Sequence, residues 1–147
     1  MRNLSILLLV ILCLSACKKG SNNLPITPAS LSGRWIRQSS TTRFYTNGKL
    51  TNTATVTFNT TGNSFTNPNI AIYFSAQNIG TYLQPGLSGV PFTYVISGSQ
   101  LTIDFGSYDT NIPIRYTIKS VTSTQLELVD GTSSGDGTIN DTVYLKD

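Results

Sequence analysis

Any chemistry done by this chain has to come from carboxylates, hydroxyls and aromatic rings. It contains no histidine, and its only two cysteines, Cys13 and Cys17, both lie close to the N-terminus. Ser-His-Asp and Cys-His nucleophilic relays and His-ligated zinc are therefore excluded, and the commonest general base is missing. Paired carboxylates remain. Asp104 and Asp109 are the nearest candidates for acid–base work on a glycosidic bond, but Asp104 sits on the polar face of an expected strand and Asp109 in an expected turn, where solvated carboxylates are ordinary. Asp130, Asp136, Asn140 and Asp141 share one Gly-rich stretch, and oxygen ligands on a flexible loop are what Ca²⁺ takes. Their spacing matches no EF-hand, no Glu closes the set, and Asp and Gly are also common turn residues. The stretch is read as a hairpin loop, with a calcium site built from Asp130, Asp136 and Asp141 as the alternative. The expectation is a domain with no catalytic residues, no cofactor and no resident metal.

The elements that would hold such residues are strands. With 39% hydrophobic, 10% aromatic and 12% charged residues, the chain is too apolar and too poor in charge to be disordered. Period-two alternation runs through Phe92, Tyr94 and Ile96; Leu101, Ile103 and Phe105; Ile112, Ile114, Tyr116 and Ile118; Leu126 and Leu128; and Val143 and Leu145. Polar residues such as Thr93, Thr102, Asp104, Arg115 and Glu127 occupy the alternate positions, as in an antiparallel sheet with one wet face. Earlier in the chain, residues 33–38 make a strand with Trp35 inward, and Asn47-Gly48 signals a type I′ hairpin. Ala54, Val56 and Phe58 alternate with threonines, residues 60–63 turn through Gly62, and Ile70, Ile72 and Phe74 make a further strand. Residues 75–91 contain three glycines and two prolines and show no alternation. They read as a long irregular insert, of the kind that in compact domains is usually functional or disordered.

Eight or nine short strands in a single up-and-down antiparallel meander must cover their edges. Closure into a barrel of about eight strands does so, and a two-sheet sandwich is the alternative. Net charge argues against nucleic acid. From residue 31 onward seven cations (Arg34, Arg37, Arg43, Lys49, Arg115, Lys119, Lys146) meet seven anions (Asp104, Asp109, Glu127, Asp130, Asp136, Asp141, Asp147), so no basic footprint remains for phosphate.

The N-terminus reads as a targeting segment. Arg2 supplies a positive start, and residues 4–14 form an apolar run of eleven residues, shorter than the roughly 20 that a membrane-spanning helix needs. Leu14, Ser15, Ala16 and Cys17 then resemble the bacterial lipobox. That resemblance implies a diacylglycerol on the Cys17 thiol and cleavage before it. Residues 1–16 would be a removed signal peptide, residues 17–30 the lipidated cysteine and a flexible tether punctuated by Pro25 and Pro28, and residues 31–147 the folded domain. No Asp follows the cysteine and no acidic run lies beyond it, so the resemblance implies the outer membrane, facing the periplasm.

The order of short motifs in the domain resembles the small lipocalin-like domains of bacterial envelope lipoproteins. Leu31-Ser32-Gly33-Arg34-Trp35 is similar to that family's opening, in which the Trp plugs the closed end of the barrel. Residues 57–62 are similar to its second hairpin, residues 94–103 to a strand, Gly turn and strand, and residues 116–128 to the next pair, with Tyr144-Leu145-Lys146 closing. The resemblance implies a lipocalin-like β-barrel and a small apolar or amphipathic ligand in its mouth. A structural or accessory subunit that docks an envelope or secreted protein through its outer surface is the other reading. Trp35, Phe92, Tyr94, Phe105 and Tyr116 are expected to be packing, since a small barrel can be filled by its own side chains. Tyr73, on the outer face, and Tyr82 and Leu83, in the insert, are the candidate contacts for a ligand or partner.

Overall fold

In the computed structural model residues 23–58, 70–84, 88–106, 112–131 and 134–147 are described. The lipobox with Cys17, the turn at residues 60–63 and Asp109 lie outside them. A four-residue helix, α1 (Pro28–Leu31), precedes nine strands. These are β1 (Gly33–Thr46), β2 (Lys49–Thr57), β3 (Ala71–Phe74), β4 (Ile79–Leu83), β5 (Val90–Ser97), β6 (Gln100–Asp104), β7 (Ile114–Val121), β8 (Gln125–Gly131) and β9 (Gly137–Lys146).

From β3 to β9 each strand pairs antiparallel with the next, and β9 returns to pair with β1, from Trp35 opposite Lys146 to Tyr45 opposite Gly137. That last pairing closes the sheet. The other edge of β1 is shared: Gly33–Ile36 pair with β3, and Ser39–Thr46 pair with β2. The result is a closed eight-stranded barrel with β2 as an additional strand, not a two-sheet sandwich. The β1–β2 turn has Asn47 and Gly48 both at positive φ, 51° and 72°, the conformation that a type I′ hairpin requires.

One end of the barrel is solid. Trp35 is fully buried, and its indole Nε1–H donates to the Leu31 carbonyl at 2.6 Å. Leu31 reaches that position because Thr27 and Ser30 form a capping box at the start of α1, with Pro28 at its first position. The stretch read as tether is thus partly drawn onto the barrel. The Leu24 N–H donates to the Val121 carbonyl at 2.7 Å, and Ile26 packs against the core. Around Trp35 lie Phe74, Tyr94, Leu101, Val121, Leu126 and Leu128, all essentially inaccessible.

Three expectations are corrected. Residues 75–91 are not an irregular insert, since β4 lies within them. Its inward positions are Gly80 and Tyr82, and the glycine is what hides the alternation. Phe74 and Phe92 flank Gly80 on β3 and β5 and meet edge-on across it, with ring centroids 5.6 Å apart. A β-carbon at residue 80 would overlap the Phe92 ring. Ile112 is not the first inward residue of β7. It is 73% exposed and the strand begins at Ile114, because Pro113 has no N–H to give to a ladder. In β9 the inward residue is Tyr144, not Val143 or Leu145. The lumen wall there is polar, so the hydrophobic pattern favours the wrong face.

Trp35→Ala in the full chain should cost about 3–5 kcal/mol, a large share of the roughly 5–15 kcal/mol that holds a domain together. Thermal unfolding followed by circular dichroism checks this. A change in melting temperature of only a degree or two would contradict the plugged end.

Candidate functional site: the barrel mouth

The end opposite Trp35 is not filled. A cavity of about 300 Å³ is lined by Ile72, Tyr82, Val90, Phe92, Ile103, Phe105, Ile114 and Tyr116. Strand register puts them there. Ile72 pairs with Tyr82 and Tyr82 with Val90, making one inward row across β3, β4 and β5. Ile103 pairs with Ile114, making a second row across β6 and β7. Aromatic edges build the wall and floor: Phe105 meets Phe92 at 5.5 Å and Tyr82 at 6.1 Å, and Phe92 continues to Tyr94 at 6.4 Å. Such edge-to-face contacts hold rings in place without filling all the space between them.

Beyond these lining residues, the inward faces of β8, β9 and β1 towards the same end of the barrel are polar. Thr42 donates to Asn140 Oδ1 at 2.8 Å, and the Ser40 and Thr142 hydroxyls lie 3.3 Å apart. Asp130 follows Leu126 and Leu128 on the same inward row of β8, opposite Asn140. Its carboxylate acts on the phenols below. Burial raises the Tyr116 hydroxyl from 10.0 to about 12, with Asp130 and Tyr82 adding to the shift. Tyr144 is raised as well, by burial first and then by Tyr116, Tyr82 and Asp130, with Arg37 opposing. The cavity itself therefore offers apolar surface and the phenols of Tyr82 and Tyr116, and the hydroxyls and the Asp130 carboxylate stand on the inward rows beyond it.

Of the three candidate contacts from the sequence, Tyr73 stands on the outer face and Tyr82 lines this cavity. Leu83 does not: it alternates to the outer face, where it lies near Gly89. The three candidate calcium ligands go to three places. Asp130 faces the lumen, and Asp136 accepts the Asn47 N–H at 3.0 Å at the hairpin tip. Asp141 lies outside, 7% exposed and paired with Arg43, with Lys119 at 4.0 Å. Among the described residues no group of three or more His, Cys, Asp or Glu side chains is gathered. Asp104 accepts the Gly106 N–H at 2.8 Å on the outer face. It borders an open cleft of about 500 Å³ that includes Tyr73, Ile79, Thr81, Pro91 and Thr93. Phe92 and Phe105 border both spaces, so these two rings form the partition between lumen and outer cleft.

Sequence reasoning missed Ile72, Val90, Ile103 and Ile114 as lining residues and took Phe92, Phe105 and Tyr116 as packing. No local signal separates the two roles, because lining and core residues share the same parity.

No family model and no curated protein sequence matches the chain. Among solved structures it is similar to a lipocalin-like protein from Bacteroides uniformis, with 14% sequence identity, a TM-score of 0.48, and coverage of 80% of this chain and 99% of that one. The architecture stands on its own strand pairings. It is the closed antiparallel barrel of about eight strands expected from the sequence, with β3 rather than β2 following β1 around it.

The shifted phenols predict a pH response. The folded state keeps Tyr116 and Tyr144 protonated where the unfolded chain would release those protons, so stability is full below pH 10 and falls as pH rises from about 10 towards 12. Phenolate absorbance should show tyrosines titrating late, and Tyr116→Phe should remove one late step and flatten part of the fall. Titration of every tyrosine near the ordinary value, with the fold intact, would contradict the buried placement.

Proposed function

We propose that this protein is a non-catalytic binding domain that takes a small apolar or amphipathic molecule into the barrel mouth. The observation that carries the reading is the cavity of about 300 Å³, walled by six hydrophobic side chains and two tyrosines and sitting above a solid core. That volume is at the lower end of ordinary ligand pockets, and its few convergent polar groups are what such sites use to fix orientation. With the lipid on Cys17, the domain belongs to the bacterial envelope, at the outer membrane and facing the periplasm. The anchor then leaves from the plugged end, since Leu24 is bonded to Val121 there. Residues 18–23 span at most about 20 Å, so the barrel hangs close to the lipid with its mouth turned away, and the ligand comes from the aqueous side.

A second reading, docking of an envelope or secreted protein, draws on the outer cleft, where Tyr73 is 44% and Ile79 51% exposed. The two readings separate on one titration. The neutral probe N-phenyl-1-naphthylamine should bind the full chain with increased fluorescence under the first. Ile114→Trp, which fills the cavity, should weaken that binding about tenfold or more with little change in melting temperature. Tyr73→Ala should leave it unchanged. Absence of probe binding to the native protein would sink the first reading and leave the second. The anchor is tested separately: intact-mass analysis should show acylated Cys17 in protein made in a bacterial host, and Cys17→Ser should leave it unlipidated.

A further inference from the structure

Among the described residues the lumen carries a carboxylate that no ion pair neutralises. Asp130 ends the inward row of β8 opposite Asn140, and because Val129 pairs with Thr117 it stands beside Tyr116, which lines the cavity. Among the described residues the ion pairs are Arg34–Asp147, Arg43–Asp141, Lys119–Glu127 and Lys119–Asp141. Asp130 is in none of them. The internal segments outside the described residues, 59–69, 85–87, 107–111 and 132–133, contain no Lys or Arg. Two cations lie on inward rows, both deeper than Asp130 and each stacked on an aromatic ring. Lys146 lies over the Trp35 ring at 5.1 Å, at the plugged end. Arg37, two residues beyond Trp35, has its guanidinium 3.8 Å from the Phe58 ring centroid. Arg37 pairs across the sheet with Tyr144, whereas Tyr116, which lines the cavity, lies beside Asp130.

We propose that the mouth selects an amphipathic amine, whose apolar body fills the cavity among Ile72, Val90, Ile103 and Ile114 and whose ammonium group meets Asp130. The proposal rests on the cavity reading above and adds the headgroup. A carboxylate at the same depth would face Asp130 with like charge. A neutral alcohol would gain a hydrogen bond from the Tyr116 hydroxyl without the charge-assisted one. An ammonium has three donors, enough to meet the Asp130 carboxylate and the hydroxyl of Tyr116, its neighbour across the β7–β8 pair. Its charge gains most where the surroundings are half-dry, and a charge-assisted hydrogen bond is about twice as strong as a neutral one.

The test is a headgroup series at constant chain length: decylamine, decanol and decanoate, each titrated calorimetrically into the full chain carrying Cys17→Ser. The expected order is amine, then alcohol, then carboxylate, with the amine bound about tenfold more tightly than the alcohol at neutral pH and moderate salt. Asp130→Asn should bring the amine-to-alcohol ratio close to one, and Asp130→Ser should do the same should the amide variant fold poorly. Asp136→Asn, which removes a carboxylate of the hairpin tip, should leave the ratio as it was. Equal affinity for amine and alcohol, tighter binding of decanoate, or an amine preference that survives loss of Asp130 would each overturn the proposal. Failure of decanol and amine alike would instead overturn the cavity reading, and the proposal with it.

Discussion

The pairing of β9 back onto β1 is the constraint on which the rest depends. Without it, the meander is an open sheet with an apolar face and nothing to cover it. With it, every odd-or-even choice along the strands becomes a choice between lumen and solvent. β1 bears most of this burden: it is 14 residues long, pairs with β9 along one edge and divides the other between β3 and β2. The lumen it encloses is too wide at one end for aliphatic side chains alone. Trp35 fills that end, and the Trp35–Leu31 hydrogen bond ties the plug to α1, so the helix and the first strand close the same opening from two sides.

Above the plug the interior changes character. Large rings on neighbouring inward positions would crowd each other, and Gly80 relieves this by letting Phe74 and Phe92 touch across β4. The same rings then hold Phe105 and Tyr82 edge-on, and the aromatic wall stops short of filling the barrel. On the far side the strands contribute Ser40, Thr42, Asn140 and Thr142, short polar side chains that satisfy one another and leave volume above them. A cavity walled by β3 to β7, with polar inward rows on the strands across the barrel, follows from this asymmetry. Burial of Tyr116 and Tyr144 in the boundary between the two explains why both phenols hold their protons so firmly.

Much of this organisation was legible from residue order. Inward parity of Trp35, Phe92, Tyr94, Leu101, Ile103, Ile118, Leu126 and Leu128 follows from alternation with polar neighbours, and Asn47-Gly48 names its own turn. The failures have specific causes. β4 was hidden because an inward glycine has no hydrophobic signature. β7 was begun too early because Ile112 fits the period, whereas Pro113 cannot join the ladder. β9 was assigned to the wrong face because its lumen side is polar where the cavity is.

The sequence by itself determined the all-β class of fold, closure into a barrel of about eight strands, the lack of histidine and cysteine from residue 31 onward, and the balance there of seven cations against seven anions. These depend on composition and on period, which are local and additive along the chain. Only the tertiary structure decided that Tyr82 faces the lumen while Leu83 faces out, that Asp130, Asp136 and Asp141 part company, and that the inward residues of β3 to β7 leave a space. Whether an inward side chain is core or lining is a matter of how much volume eight strands enclose and how much their rings occupy. That difference is set across the barrel, between residues far apart in the chain, and no single strand carries it.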